Sequence, residues 1–275
     1  MDTRDFALGA PGSASITNIS AYVVPVKPAN PIDTFLRSRA SLIRLGGAKA
    51  LTESPDLGRL LLLGVVSAFE NFCRGILAGC ISLCPISQAK SSEKNLNFGG
   101  ALWHGPSGNF NRSAFEHKSF TDEKEIRSIF KEYINFELNN AVYSDLLSEI
   151  DKIMQVRHAI VHADGYLPGR NAVKLEISRS SLELRVSVDL TRLQECTLVL
   201  SNFVELLNRE VFAEICRRWA VSWRQRADWQ PHMEDKTLEK IWGLFVATSY
   251  NASLKNRKKW GRKALKRELE RVYSL

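Results

Sequence analysis

Apolar residues recur along most of the chain at the three- and four-residue spacing of helices, interrupted by short polar breaks. The longest such stretch, residues 57–83, follows Ser54-Pro55-Asp56, which supplies an N-cap, a first-turn proline and an acid suited to the helix dipole, and Pro85 stops it. A shorter helix is predicted over 33–45, ending at Gly46-Gly47, and another from Thr121 to about residue 136, with Asp122 and Glu123 in its first turn. The next, 144–163, ends with Gly165 in the C-cap position. Two alternating segments, "AVKLEI" and "LELRVSV", flank "SRSS" and predict a β-hairpin over 172–188. A closing helix starts at Asp189 or Thr191 and runs to about residue 218. Beyond it, 219–275 reads as helical, with Thr237 as the N-cap of "LEKIWGLF".

Two regions break the pattern. Residues 1–32 are rich in Pro, Ser, Ala and Gly, and only "ITNISAYVVPV" resembles a strand, so a loosely held N-terminal arm is expected. Residues 86–120 scatter Ser, Asn and Gly among Phe98, Trp103, Phe110 and Phe115, an irregular insertion pinned by aromatics and of the length at which loops often carry function. The predicted fold class is mainly α: a helical domain over 33–218 and a basic helical C-terminal extension over 219–275.

Composition narrows this reading. With 275 residues and 44% hydrophobic content the chain can bury a sizeable core, as one large domain or one with an appendage. Its five cysteines are odd in number, sit in apolar helical contexts and form no CxxC pair, which points away from a disulfide framework or zinc ribbon and toward a reducing cytoplasm. The N-terminal stretch carries acids and no apolar segment, so neither a secretory signal nor a transit peptide is expected. Glu70, Asn71 and Arg74 stop the apolar run 60–68. That run is well short of a membrane-spanning length, so no membrane partner is expected. Of a formal charge of +8, residues 255–275 hold nine Lys or Arg against two Glu, a net of +7. Such a segment favours phosphates through counterion release.

The candidate chemistry lies in "VRHAIVHADG", residues 156–165. At ~100° per residue, Leu146, Ile150, Ile153, Arg157 and Ile160 fall within roughly 80° of one another, which puts Arg157 in the apolar stripe. A guanidinium keeps its charge, so that position demands a carboxylate, a phosphate, a protein partner or an opening onto a cleft or interface. His158 and His162 share a flank of the stripe, and at His162, in the last turn, the helix dipole stabilises imidazolium. An arginine that holds phosphate beside a histidine suits acid-base chemistry on RNA. Two other readings stay open. One is a structural Arg-carboxylate tie with two surface histidines. The other is a metal pair on one helix face, which lacks an obvious third ligand beyond Asp164 or Glu70 and has no HExxH glutamate.

"RHAIVH", residues 157–162, resembles the R-x4-H signature of HEPN domains, with polar His158 directly after the arginine. The long upstream helix "LLLGVVSAFENFCRGIL", the signature late in a following helix, then a hairpin and a closing helix are similar to the prokaryotic branch of that family over roughly residues 35–212. The insertion at 86–120 and the extension after 219 depart from a minimal domain. The resemblance implies a helical bundle that dimerises and brings two signature helices to one composite cleft. It also implies a metal-independent endoribonuclease, without cofactor, of toxin-antitoxin or antiviral defence systems. Its partners would be RNA, a second copy and a cognate antitoxin or defence component. A binding module that has lost activity is the alternative. Carried onto this chain, Arg157 holds the scissile phosphate, His162 handles the proton of the attacking 2′-hydroxyl or leaving 5′-oxygen, and His158 supports them. Glu70 either orients Arg157 or forms an i, i+4 ion pair with Arg74. A spacing of five puts Arg157 and His162 about 140° apart on one helix, so the second copy supplies the missing geometry.

At the basic end, Lys255, Arg257, Lys258, Lys259, Trp260, Arg262, Lys263, Lys266 and Arg267 are candidate RNA contacts, with Trp260 available for base stacking. The predicted helix there turns Trp260, Leu265, Leu269 and Val272 toward the protein. The same charges also fit a solvated helix face or a partner surface.

Overall fold

The computed structural model describes residues 3, 13–27, 29–248 and 261–275. These form a mainly helical bundle built around α3, Pro55–Leu83. Leu61, Leu62, Val65, Val66, Phe69, Phe72, Ile76 and Leu77 bury several sides of this helix, as expected of one that is apolar nearly all round. By length and composition, Asp56–Leu83 is apolar enough to cross a membrane, which residues 60–68 alone did not suggest, and half of that window is buried by the rest of the bundle.

The packing helices are α1 (Pro31–Leu45), α6 (Glu123–Ile134), α7 (Asn140–Ala163), α9 (Leu190–Arg218) and α10 (Glu234–Phe245). Short helices α2 (Ala48–Glu53), α4 (Pro85–Ser91), α5 (Phe98–His104) and α8 (Gly169–Lys174) link them, and α11 (Arg262–Tyr273) closes the chain. Side-chain caps set several starts. Asn30 accepts from the Asp33 N–H at 2.7 Å and Asp122 from the Glu125 N–H at 2.8 Å. Asn139 accepts from Ala141 at 2.8 Å and Asp189 from Arg192 at 2.9 Å. Ser54 sits at the α3 N-cap without such a bond, and Thr237 lies inside α10 rather than capping it.

Glycines allow close approach to α3, most tightly at Gly58 and Gly79. A Cβ on Gly58 would collide with the Val188 carbonyl oxygen, and one on Gly79 would collide with a Leu244 methyl. The first contact belongs to one end of the bundle, where the start of α3, the end of α7 and the start of α9 meet. The end of α3, the end of α6 and the end of α9 meet at the other. There Arg218, 2% exposed, donates to the Ile134 and Asn135 carbonyls at 2.8 and 2.7 Å and pairs with Glu214 at 2.6 Å.

Three expectations need correction. The hairpin over 172–188 does not form. The first half of "AVKLEI" belongs to α8, and Tyr166 forms an isolated antiparallel bridge with Arg185 instead. The alternation is short, whereas α8 gains a buried anchor: Asn171 donates to the Gln155 carbonyl and side-chain oxygens at 3.2 and 3.0 Å. The 86–120 insertion contains α4, α5 and a 3₁₀ turn, Phe110–Phe115, and is pinned by Phe115 and Phe120, while Phe98 and Trp103 are 76% and 81% exposed. In the arm, residues 19–22 form an exposed 3₁₀ turn, not a strand, because no neighbouring strand among the described residues offers hydrogen bonds there.

Candidate functional site

The site is built on the last turns of α7. Tyr143, Leu147, Ile150, Ile153 and Met154 hold the earlier turns in the core, against α3 and α9. The stripe then emerges: Arg157 is half-buried, and His158, Val161 and His162 are exposed. The helix closes at Asp164, in left-handed conformation with φ 50°, and the Gly165 N–H returns to the Ala159 carbonyl at 3.0 Å. The left-handed residue is therefore Asp164 as well as Gly165, whose φ is 85°. Gly165 is also confined by space, since an added Cβ would lie 3.1 Å from Arg59 Cδ. Arg185 locks the same turn from the side, donating to the Asp164 carbonyl at 3.0 Å and its carboxylate at 2.6 Å, and lies over the Tyr166 ring.

Among the described residues the Arg157 side chain has no hydrogen bond and no ion pair. The His158 and His162 rings lie beside one another, centroids 4.6 Å apart. Partial desolvation, then the positive charges of His162, Arg157, Arg170 and Lys174, push the His158 imidazole below its usual range, favouring its neutral form. Arg170 and Lys174 are exposed on α8 and carry no carboxylate partner among the described residues. Sequence reading placed Lys174 in a hairpin over 172–188 and singled out neither it nor Arg170, which precedes that segment. The available signal was Pro168-Gly169 followed by two basic residues four apart, a helix start as much as a strand boundary.

The other predicted site residues lie elsewhere. Glu70 pairs with Arg74 at 2.8 Å, and Arg74 donates to the Phe115 and Lys118 carbonyls at 3.1 Å each, so this pair fastens the 110–120 segment to α3. Glu70 makes no hydrogen bond to Arg157. On α11, Arg262 pairs with Glu239 at 2.5 Å and Lys266 with Asp235 at 2.8 Å, while Leu269 is buried and Val272 is exposed. Lys263 and Arg267 have no carboxylate partner among the described residues. Lys255, Arg257, Lys258, Lys259 and Trp260 lie outside the described residues. Helix α11 packs on α10 and on the π-helical turn Trp219–Trp223 beyond α9. It therefore stands about the length of α9, roughly 43 Å, from the end of α7.

Among the described residues no three His, Cys, Asp or Glu side chains converge on a metal position. Asp164 is engaged by Arg185 and Glu70 by Arg74. A cleft of about 390 Å³ between α1, α3, the 108–112 segment and α10 contains none of the predicted site residues. No family model matches the chain, and neither does any curated protein or solved structure.

Proposed function

We propose that the chain is a metal-independent endoribonuclease of the HEPN type, a toxin or defence effector. The observation that carries this reading is Arg157: a half-buried guanidinium without a partner among the described residues, beside two exposed histidines at a helix end. Such a group is available to a phosphate oxygen.

In the proposed reaction the 2′-hydroxyl of one ribose attacks the adjacent phosphorus. A new P–O bond forms and the bond to the 5′-oxygen breaks. His162 takes the proton from the 2′-hydroxyl or, in its imidazolium form, delivers one to the leaving 5′-oxygen, and Arg157 neutralises the charge that builds on the phosphate. The products are a 2′,3′-cyclic phosphate and a 5′-hydroxyl. Arg157 and His162 diverge by about 140° on α7 at five residues' spacing. The working site is therefore composite, with a second copy docked over Arg157 and Val161. That divergence within one chain also favours a second reading, a non-catalytic dimer that binds RNA, a nucleotide or a partner protein.

Incubating the purified protein with a mixed RNA pool in excess chelator, beside His162→Ala, tests the proposal. Cyclic-phosphate ends that disappear in the variant are expected. Cleavage that survives His162→Ala rejects the site, and a folded, dimeric wild type that cleaves nothing favours the binding module.

A further inference from the structure

The segment read from sequence as the first hairpin strand is instead a helix folded back along α7, and it carries two charges that nothing among the described residues uses. Gln155, His158 and His162 are three and four residues apart, so they share one face of α7. Asn171, 3% exposed, grips Gln155 through two hydrogen bonds, which seats α8 on that face. Arg170 and Lys174 flank the anchor at one residue before and three after it. They are four apart on a helix, so their Cβ atoms are about 6 Å from one another. The charges of both are felt at His158, and that of Lys174 also at Asp151, about two turns before His158, so α8 runs back along the histidine face. Asp151 itself accepts from the Glu123 N–H at 2.7 Å, which turns its carboxylate toward the start of α6.

We infer that Arg170 and Lys174 bind the phosphodiester backbone of single-stranded RNA beside His158 and His162, with the Asn171–Gln155 clasp holding this α8 rail in register with the histidines. The inference rests on the RNase reading for its ligand but concerns binding, which is measured independently of cleavage. Two long cationic side chains rooted one helical turn apart can each reach a phosphate of one strand. Placed beside the histidine pair, the rail fixes which phosphate reaches His162. It also explains why the basic C-terminal helix can stand at the far end of the bundle: the site has cations of its own.

The test uses a fluorescently labelled single-stranded 2′-O-methyl oligoribonucleotide, which the proposed chemistry cannot cleave. Anisotropy titrations across a salt series compare the full-length wild type, Arg170→Ala/Lys174→Ala, and Lys49→Ala/Lys240→Ala, which removes equal charge from exposed positions elsewhere. The rail variant is expected to bind at least tenfold more weakly at low salt, with a log–log salt slope shallower by roughly 1.4, two phosphate contacts at about 0.7 each. The remote pair should stay within about twofold of wild type. Asn171→Ala keeps every charge but releases α8, and is expected to weaken binding severalfold, with thermal unfolding followed alongside to confirm a folded bundle. Wild-type affinity and slope in the rail variant, equal losses in the remote pair, or a wild type that does not bind the probe would each overturn the inference. Intact, rail-dependent binding without cleavage of ordinary RNA would overturn the nuclease reading alone.

Discussion

Each end of the bundle presents an arginine near a helix C-terminus, and the two are treated in opposite ways. Arg218 is surrounded: it donates from Nε to Glu214 and from its terminal nitrogens to two carbonyls, and almost none of it reaches solvent. Burial alone would raise the Glu214 carboxyl, but hydrogen bonds from Arg217 and Arg218 outweigh it and hold the group below its usual range. Arg157 stands where an apolar stripe emerges from the core, and among the described residues nothing accepts from it. The fold satisfies one guanidinium completely and, among the described residues, leaves the other without an acceptor.

The sharpest way to break this contrast is thermal unfolding. Arg218→Ala leaves two carbonyls without their donor and Glu214 with Arg217 alone, and is expected to cost about 3 kcal/mol, a fall in Tm of several degrees. Arg157→Ala should stay within about 0.5 kcal/mol of wild type. Equal losses would mean that Arg157 is structural after all. The reverse ordering is expected in a cleavage assay, where Arg157→Ala or His162→Ala should each lower the rate by about 100-fold or more while Tm is preserved.

Gly165→Ala probes the closure that joins the two regimes. Its positive φ and the Arg59 side chain beneath it both oppose a methyl group. The substitution should cost about 1 kcal/mol, read by denaturant titration, and should loosen the end of α7. The smallest expected effect is a titration shift. By NMR, His158 should lose its proton at a pH below that of an ordinary histidine, and Arg170→Ala/Lys174→Ala should move it back up. Since the folded value lies below the unfolded one, protonating His158 works slightly against the fold as pH falls below about 6.5. An unchanged midpoint in the variant would place α8 away from the histidine face.

The long helices were legible from sequence because apolar spacing, proline positions and acids near the helix starts all agree, although Asp122, read as a first-turn acid, is itself the N-cap. So was the exceptional position of Arg157, which depends on the helical repeat alone. What sequence could not reveal was set by contacts between distant segments. "AVKLEI" alternates like a strand, yet Asn171 finds Gln155 sixteen residues away and the chain turns helical there. Phe98 and Trp103 look like core residues among the other aromatics, but only three-dimensional placement shows them facing solvent while Phe115 and Phe120 are buried. Glu70 had two candidate partners, and the segment that settles the matter, 115–118, lies more than forty residues downstream of Arg74.

The close contacts at Gly58 and Gly79 also bear on the order in which the molecule assembles. A glycine inside a helix costs up to about 1 kcal/mol relative to alanine, so α3 gives up intrinsic helicity at the very positions where Val188 and Leu244 press against it. The segment 55–83 taken alone should be a poor helix despite its length, stable only once its neighbours dock. Val188 and Leu244 arrive from far downstream in the chain. The central rod of the bundle is therefore expected to become rigid late, after the start of α9 and the end of α10 have reached it, and folding should be slower than the high helical content suggests.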